Sequence, residues 1–376
     1  MAAKRVQVGC GFLGLGLLLA QSALADVPMH SPAWLKQHGY RPAPSLAWRR
    51  ATVADSVEVK RLAPPQIPHA EHSLPWPVAF ADRGKTVANS MAQFQPFGSP
   101  YFHGGCDLRI ARRAEVIAPV SGKLEAGHYD YENRPDGSMV KYFKPWPESG
   151  EALYFELAIV TREGFRFELH HVDRAALSPR VLDLLKAGNG EVSAGEVLAR
   201  AVAWPSGDYD HIHYNVIDPS GIRINPEWVS PLILDTQPPK VQEALWVLKN
   251  GLVRPFGNGT SRDQPVELVL HVSDRKDGNP YEQPPVQARI EFRSGLQAGW
   301  DFSRFLGRAD GSWAPIWDVL RESIRSPTQG TIRTEGGYGL GKALLRLPVP
   351  AGARGPFTVT LVDPAENETL LSGDLQ

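Results

Sequence analysis

Cysteine is all but missing from this chain, which has Cys10 and Cys106 and no others. Cys10 lies inside an N-terminal run that reads as a removable leader, so the mature protein keeps Cys106 alone and no internal disulfide is expected. A surplus of charge of either sign is lacking as well. Forty basic side chains stand against 41 acidic ones, a net of −1, which supplies no positive field for a phosphate backbone and excludes nucleic acid as a partner. No apolar run of about 18 residues occurs after the N-terminus, so no membrane span is expected in the mature chain. Internal repeats and low-complexity tracts are also missing.

What is abundant is turn chemistry. With 35 glycines and 33 prolines in 376 residues, the chain reads as two or so mainly β domains with helix in the minority. Lys4 and Arg5, the apolar run FLGLGLLLA and the small-x-small site Ala23-Leu24-Ala25 mark residues 1–25 as a signal peptide. Val8-Gly9-Cys10 precedes the apolar core, which disfavours a lipoprotein anchor. Export follows, with periplasm and extracellular space left open. Residues 26–73 are Pro-rich, contain Trp34 and Trp48, and read as an N-terminal extension. Between 74 and 232, short segments such as AEVIAPV, ALYFELAIVT, FRFELHHV and HIHYNVI alternate or run apolar between Gly/Pro turns, as antiparallel strands do. One helix is expected from Val172, ending at Gly188. Asp235-Thr-Gln-Pro-Pro239 marks a boundary. In 240–376, Val286, Ala288, Ile290 and Phe292 alternate with polar residues, as do Phe357, Val359 and Leu361, and about seven such strands fit an immunoglobulin-like β-sandwich.

The chemistry gathers on a few residues. In YFHGGCDL, His103 and Asp107 are four apart, a helical spacing, but Gly104-Gly105 costs about 2 kcal/mol of helix propensity against alanine. On a straight strand the pair would be about 13 Å apart. A bend at the glycines would bring an imidazole and a carboxylate together. His211 and His213, at i and i+2 in HIHYNVID, project from one face of a strand, with Ile212 and Tyr214 on the other. Two histidines and one aspartate make a three-donor set, the pattern of a catalytic zinc site, whose fourth position stays open for water. His170 and His171 are adjacent, and strict strand alternation would let one of them face the same pocket.

Five blocks then carry a resemblance: His103-Gly-Gly-Cys-Asp107-Leu, Glu115-Val-Ile-Ala118-Pro-Val-Ser-Gly122, Leu169-His-His171-Val, Val192-Ser-Ala-Gly195 and His211-Ile-His213-Tyr-Asn-Val. In this order the blocks resemble the lysostaphin-type (LytM-like) zinc metallopeptidases over residues 74–230. The resemblance implies a zinc peptidase domain at 74–232. It implies that His103, Asp107 and His213 hold zinc and that His171 and His211 are catalytic partners, with His170 as the fallback for His171. It also implies peptidoglycan peptide as the substrate. A zinc ion held this way supplies an activated water, while the two histidines move protons and stabilise the oxyanion. No H-E-x-x-H is present to supply a glutamate base. No organic cofactor is implied.

The chain departs from that pattern at Arg109, where a small residue is usual, at Arg113, where glycine is usual, and at Leu169, where tyrosine is common. Cys106 should point away from Asp107 and pack as a thiol. The long segment from His128 to Gly150 reads either as a groove wall or as a solvated hairpin on Asp136-Gly137. Two other classes compete with a peptidase. One is a non-catalytic scaffold or activator of other cell-wall hydrolases, which filled positions at all five motif residues disfavour. The other makes the sandwich the working part, binding wall polymer or a protein partner, with a structural metal. Structural zinc is normally closed by four protein donors, which disfavours it.

Overall fold

The computed structural model describes residues 74–82, 84–96, 101–133, 139–147, 152–188, 190–219, 221–257, 265–306 and 316–376. The expected leader and the whole 26–73 extension lie outside the described residues, as does the Asp136-Gly137 turn. The first half contributes β1 (Val87–Asn89), β2 (Phe94–Gln95), β3 (Tyr101–Phe102), β4 (Cys106–Arg109), β5 (Glu115–Ile117), β6 (Gly122–Asn133), β7 (Met139–Pro145), β8 (Phe155–Val160), β9 (Arg166–His170), helix α1 (Pro179–Ala187), β10 (Glu191–Val192), β11 (Val197–Arg200), β12 (His211–Ile217) and β13 (Ile222–Ile224). The second half contributes β14 (Lys240–Leu248), β15 (Val253–Pro255), β16 (Pro265–Ser273), β17 (Gln287–Phe292), β18 (Gln297–Asp301), β19 (Arg304–Leu306), helix α2 (Ile316–Val319), β20 (Ser323–Ser326), β21 (Gly330–Arg333), β22 (Ala343–Pro348), β23 (Gly355–Val362) and β24 (Glu368–Leu375). The strands pair antiparallel throughout the described residues. The protein is mainly β, as its turn-rich composition leads one to expect.

In the principal sheet the strands lie side by side in the order β1-β4-β12-β9-β8-β6-β10, with β7 on β6 and β13 on β12. Its period-2 pattern sorts the side chains. Ile212, Tyr214 and Val216 enter the core with Leu108, Leu157, Phe167 and Leu169, all fully buried. The intervening residues of β12, His211 and His213, therefore stand on the opposite face. That face of β4, β12 and β9 carries the site.

The helix expected from Val172 is shorter than its leucine spacing predicts. Arg174–Ala176 forms a 3-10 turn, and α1 starts afresh at Pro179, with Ser178 accepting from the Val181 N–H as its N-cap. Proline at the first helical position lacks only an N–H that would be unpaired there anyway, so it begins a helix but cannot continue one. Gly188 ends α1 in the left-handed conformation at φ 75°, as expected of a C-cap glycine.

In the second half, β15-β14-β16-β22 and β18-β17-β23-β24 form two four-stranded sheets. Trp246, Leu268 and Leu345 from one meet Ile290, Trp300 and Val359 from the other in a shared core. The β20–β21 hairpin covers the outer face of the first sheet, where Ile324 packs with Leu245, Val269 and Leu344. Its central strands are thus buried on both sides, which explains their continuous apolar runs.

The halves are joined by more than a linker. β19 pairs with β13 and so extends the principal sheet. Phe94 and Phe102, neighbours on β2 and β3, bury themselves in the sandwich core, each stabilising the junction by about 2 kcal/mol. Side-chain amides of Asn279 and Gln283 donate to the Val87 carbonyl at 2.9 and 2.8 Å. Among the described residues, no helix is long and apolar enough to cross a membrane.

Candidate metal centre

The β4–β12 register sets Asp107 directly opposite His213 and Arg109 opposite His211. Side chains facing each other across such a pair are neighbours on one face. His213 Nδ1 lies 3.0 Å from Asp107 Oδ1. His103 comes from outside the sheet, just after β3, where its backbone bonds to Gln93 and Ala92 fix the hairpin against the strand ends. Its Nε2 lies 3.0 Å from the same Asp107 oxygen. One donor atom from each of His103, Asp107 and His213 falls within 4.8 Å of the others.

Gly104 and Gly105 do allow His103 and Asp107 to meet, for a reason different from a special backbone bend. Neither has a positive φ. A Cβ on Gly105 would sit 2.2 Å from the Tyr214 carbonyl oxygen, and one on Gly104 would strike the Arg223 guanidinium. Close packing against the β12 backbone requires Gly105, whereas Gly104 faces only the movable end of Arg223.

Three of the imidazoles are each oriented by a backbone carbonyl. His103 Nδ1 faces the Ser90 oxygen at 3.1 Å, His211 Nδ1 the Tyr209 oxygen at 2.8 Å and His171 Nδ1 the Leu153 oxygen at 2.5 Å. A carbonyl only accepts, so each Nδ1 carries the hydrogen, and in His171 and His211 a neutral ring then keeps its Nε2 lone pair free to act. The rings of His171 and His211 lie edge to face, 4.7 Å between centroids. Trp204 packs against both, at 4.9 and 4.6 Å.

Burial tunes these groups. It pushes His171 well below the usual imidazole range, reinforced by the neighbouring His211, and it lowers His211 against the opposing pull of Asp107. Burial and the nearby His103 bring His213 down to about 3. For Asp107, burial alone would raise the pKa, but the nearby His103 and His211 and hydrogen bonds from His103 and His213 hold it well below the carboxylate range. The result is an ionised Asp107, with the neutral ring favoured at His171, His211 and His213.

His170 and His171 divide differently from strict alternation. β9 ends at His170, and His171 takes φ 64°, which turns its ring toward His211. His170 stays opposite His213 in the register, rings 5.0 Å apart, with its Nδ1 2.9 Å from Glu156 and its Nε2 3.4 Å from Glu168. Arg166 pairs with Glu168, Glu156 and Glu125 at 2.8, 3.1 and 2.6 Å. The structure thus joins His171, rather than His170, to His211.

Several residues at this site escaped sequence reasoning. Asn89 Nδ2 donates to Asp107 Oδ2 at 2.7 Å, and Tyr209 contacts the same oxygen at 3.4 Å. The backbone N–H of Gly339, from the sandwich half, donates to Asn89 Oδ1 at 2.8 Å. The Tyr338 ring packs edge-on against Tyr209 at 5.2 Å. Tyr209 stands two residues before the H-x-H motif, a spacing that offered a hint. Little local marks Asn89: apart from Gln93, four positions on, its partners are 18 to 250 positions away.

Cys106 is fully buried on the opposite face from Asp107, its thiol facing Asn225 Oδ1 at 3.8 Å. Leu169 is core. Arg109 reaches the Asp208 carbonyl and lies over the Tyr209 ring. Arg113 has φ 59°, the left-handed region that glycine enters without cost, and is anchored to Asp173 at 2.7 Å.

No protein-family model and no curated protein matches this chain. Among solved structures, the chain is similar to lysostaphin from Staphylococcus simulans at 13% identity and TM-score 0.26, covering 78% of this chain and 95% of that one. A solution structure of lysostaphin matches at 13% identity and TM-score 0.29 over 80% and 96%. A chain of the SpoIIQ–SpoIIIAH pore-forming complex matches at 13% identity and TM-score 0.28 over 42% and 91%. At these identities and scores none of them bears on the activity of this protein.

Proposed function

We propose that this chain is an exported zinc endopeptidase that hydrolyses peptide bonds in the cross-links or stems of peptidoglycan. The observation that carries this reading is the convergence of one carboxylate oxygen and two imidazole nitrogens within 4.8 Å, beside a second histidine pair at 4.7 Å. The substrate class rests on the five motif blocks and their order. Residues 1–25 act as the export signal, 74–232 as the peptidase domain and 240–376 as the sandwich.

The donor set suits zinc. Ligands about 2.1 Å from a tetrahedral ion lie about 3.4 Å from one another, and His103 and His213 each stand 3.0 Å from Asp107 Oδ1. Asp107, His103 Nε2 and His213 Nδ1 would hold the ion, whose bound state supplies an acidified water and a Lewis acid for the scissile carbonyl. The remaining work falls to the chain. His171 and His211 begin neutral because burial depresses both, so the Nε2 of either can take the proton of the attacking water and return it to the leaving amine. The ring that has taken the water's proton can donate it in a hydrogen bond to the oxyanion developing on the carbonyl before passing it to the leaving amine, while the Nε2 of the other accepts a hydrogen bond from the water and orients it. Trp204 and Tyr209 flank His211 and keep bulk water from its faces.

The test is mass spectrometry of purified peptidoglycan digested by the zinc-loaded chain beside His213→Ala, with zinc content measured for both. New free amino termini with wild type alone, and about one zinc per wild-type chain, support the reading and identify the bond. A wild type that holds zinc and leaves the wall intact refutes it and favours the scaffold class.

A further inference from the structure

Among the described residues, three clusters of carboxylates or histidines have donor atoms close enough to share an ion. One is the site above. The second, Glu156, Glu168 and His170, already has the Arg166 guanidinium on both carboxylates. The third, Asp235, Asp274 and Asp363, has no such cation.

Its members come from three separate stretches. Asp235 lies in the segment leading to β14, Asp274 immediately follows β16, and Asp363 immediately follows β23. They meet where the sandwich adjoins the first half, one oxygen of each within 4.8 Å of the others. They are 8, 2 and 0% exposed.

Hydrogen bonds leave this cluster short of donors. Asp363 accepts from the Asn367 N–H at 2.9 Å and from Asn367 Nδ2 at 2.8 Å. Asp235 Oδ1 accepts from the Gln237 N–H at 3.2 Å, while Oδ2 is buried without a partner. Neither oxygen of Asp274 has a hydrogen bond of ordinary geometry, although the Arg275 N–H stands near enough to act on the carboxylate. The nearby ammonium, Lys276, is 1% exposed and directed elsewhere, to Glu227 at 2.8 Å across the junction and to Gln283 Oε1 at 2.7 Å. Four buried carboxylates therefore face one buried cation, which is committed to the fourth.

An ionised carboxylate buried without donors costs several kcal/mol, and a protonated one still needs an acceptor for its hydrogen. A divalent ion removes both penalties at once. The donors are all oxygen, the preference of a hard cation. Oxygens bound to one calcium at about 2.4 Å lie no more than about 5 Å apart, whereas magnesium at about 2.1 Å demands a tighter octahedron. We propose that Asp235, Asp274 and Asp363 form a calcium-binding site at the junction of the two halves, distinct from the His103/Asp107/His213 group. A calcium ion there ties the segment before β14 to the ends of β16 and β23 and sets how the sandwich is seated.

The experiment takes the full chain, freed of metal on a chelating resin, reloaded with one equivalent of zinc and held in calcium-free, chelator-free buffer at about pH 7.5. Calorimetric titration with CaCl2 is expected to show one ion per chain with Kd of about 1 mM or tighter, and a Tm rise of about 3 °C or more at saturating calcium. MgCl2 at the same concentration is expected to give a smaller shift. Asp274→Asn should lose the calcium response and keep its zinc. Absence of heat and of a Tm shift in wild type up to about 10 mM CaCl2 overturns the proposal without reference to any variant. An undiminished response in Asp274→Asn overturns the assignment to these residues, and an equal or larger magnesium shift overturns the choice of calcium. None of these readouts depends on peptidase activity.

Discussion

Asn89 donates to Asp107 Oδ2 at 2.7 Å while Asp107 Oδ1 faces His103 and His213 at 3.0 Å. One carboxylate oxygen is thereby held by the protein and the other is presented to the imidazoles. Asn89 is itself held, accepting from Gly339 N–H and from Gln93 Nε2, each at 2.8 Å. The orientation of a central side chain of the site thus depends on a backbone group from the sandwich half.

Removal of that support should loosen the metal without unfolding the chain. Asn89→Ala is expected to weaken zinc binding by about 10- to 100-fold, the usual cost of losing a group that orients a ligand. Competition with a zinc-binding dye measures it, and the far-ultraviolet circular dichroism spectrum should not change.

His171 and His211 should separate catalysis from metal binding. Alanine at either position is expected to lower kcat by about 10²- to 10⁴-fold, with zinc content within error of wild type. Because both pKa values lie below the ordinary imidazole range, each ring remains neutral as pH falls through 6.5. Their contribution to kcat is therefore expected to stay level from neutral pH to below 6.5, and to fall only where the depressed values are reached. A pH–kcat profile with its acid limb centred at or above 6.5 would count against neutral histidines as the working bases.

The paired glycines should respond unequally. Gly105→Ala places a Cβ 2.2 Å from the Tyr214 backbone oxygen, which cannot yield without parting β4 from β12, so a loss of about 2 to 4 kcal/mol is expected. Gly104→Ala meets the far end of Arg223, a side chain that can swing away, and should cost less than about 1 kcal/mol. Urea unfolding of the two variants gives the comparison.

Asp274 gives a pH signature in the calcium-free protein. Burial, with Asp363 and Asp235 adding to it and Lys276 opposing, raises its pKa to about 7. The folded state then holds a proton that the unfolded state has released, so this residue's contribution to stability declines as pH rises from about 4 to 7 and is flat above. In calcium-free buffer, Asp274→Asn is therefore expected to melt above wild type at pH 8, by at least about 2 °C, and level with it near pH 4. With calcium the order at pH 8 should reverse.

The β4 and β12 motifs were legible because their chemistry is local. His211 and His213 share a face through the period of the strand, whereas the reason Gly105 must be small, the Tyr214 backbone of another strand, was not legible. The helix at 172–188 was only half legible. Leucine spacing signals a helix, but Pro179 decides where its hydrogen bonding starts. The choice between His170 and His171 needed the left-handed turn at His171 and the carboxylates that engage His170, features set by where β9 ends.

The sequence by itself determined the mainly β character, the alternating strands and the shared face of His211 and His213, since turn composition and side-chain period act over a few neighbours. Tertiary structure alone decided that Asn89, Tyr209 and Gly339 support Asp107, that Phe94 and Phe102 enter the sandwich core, and that Asp235, Asp274 and Asp363 meet. Those contacts join positions far apart in the chain. Only the pairing of strands and the closure of two cores bring them within reach.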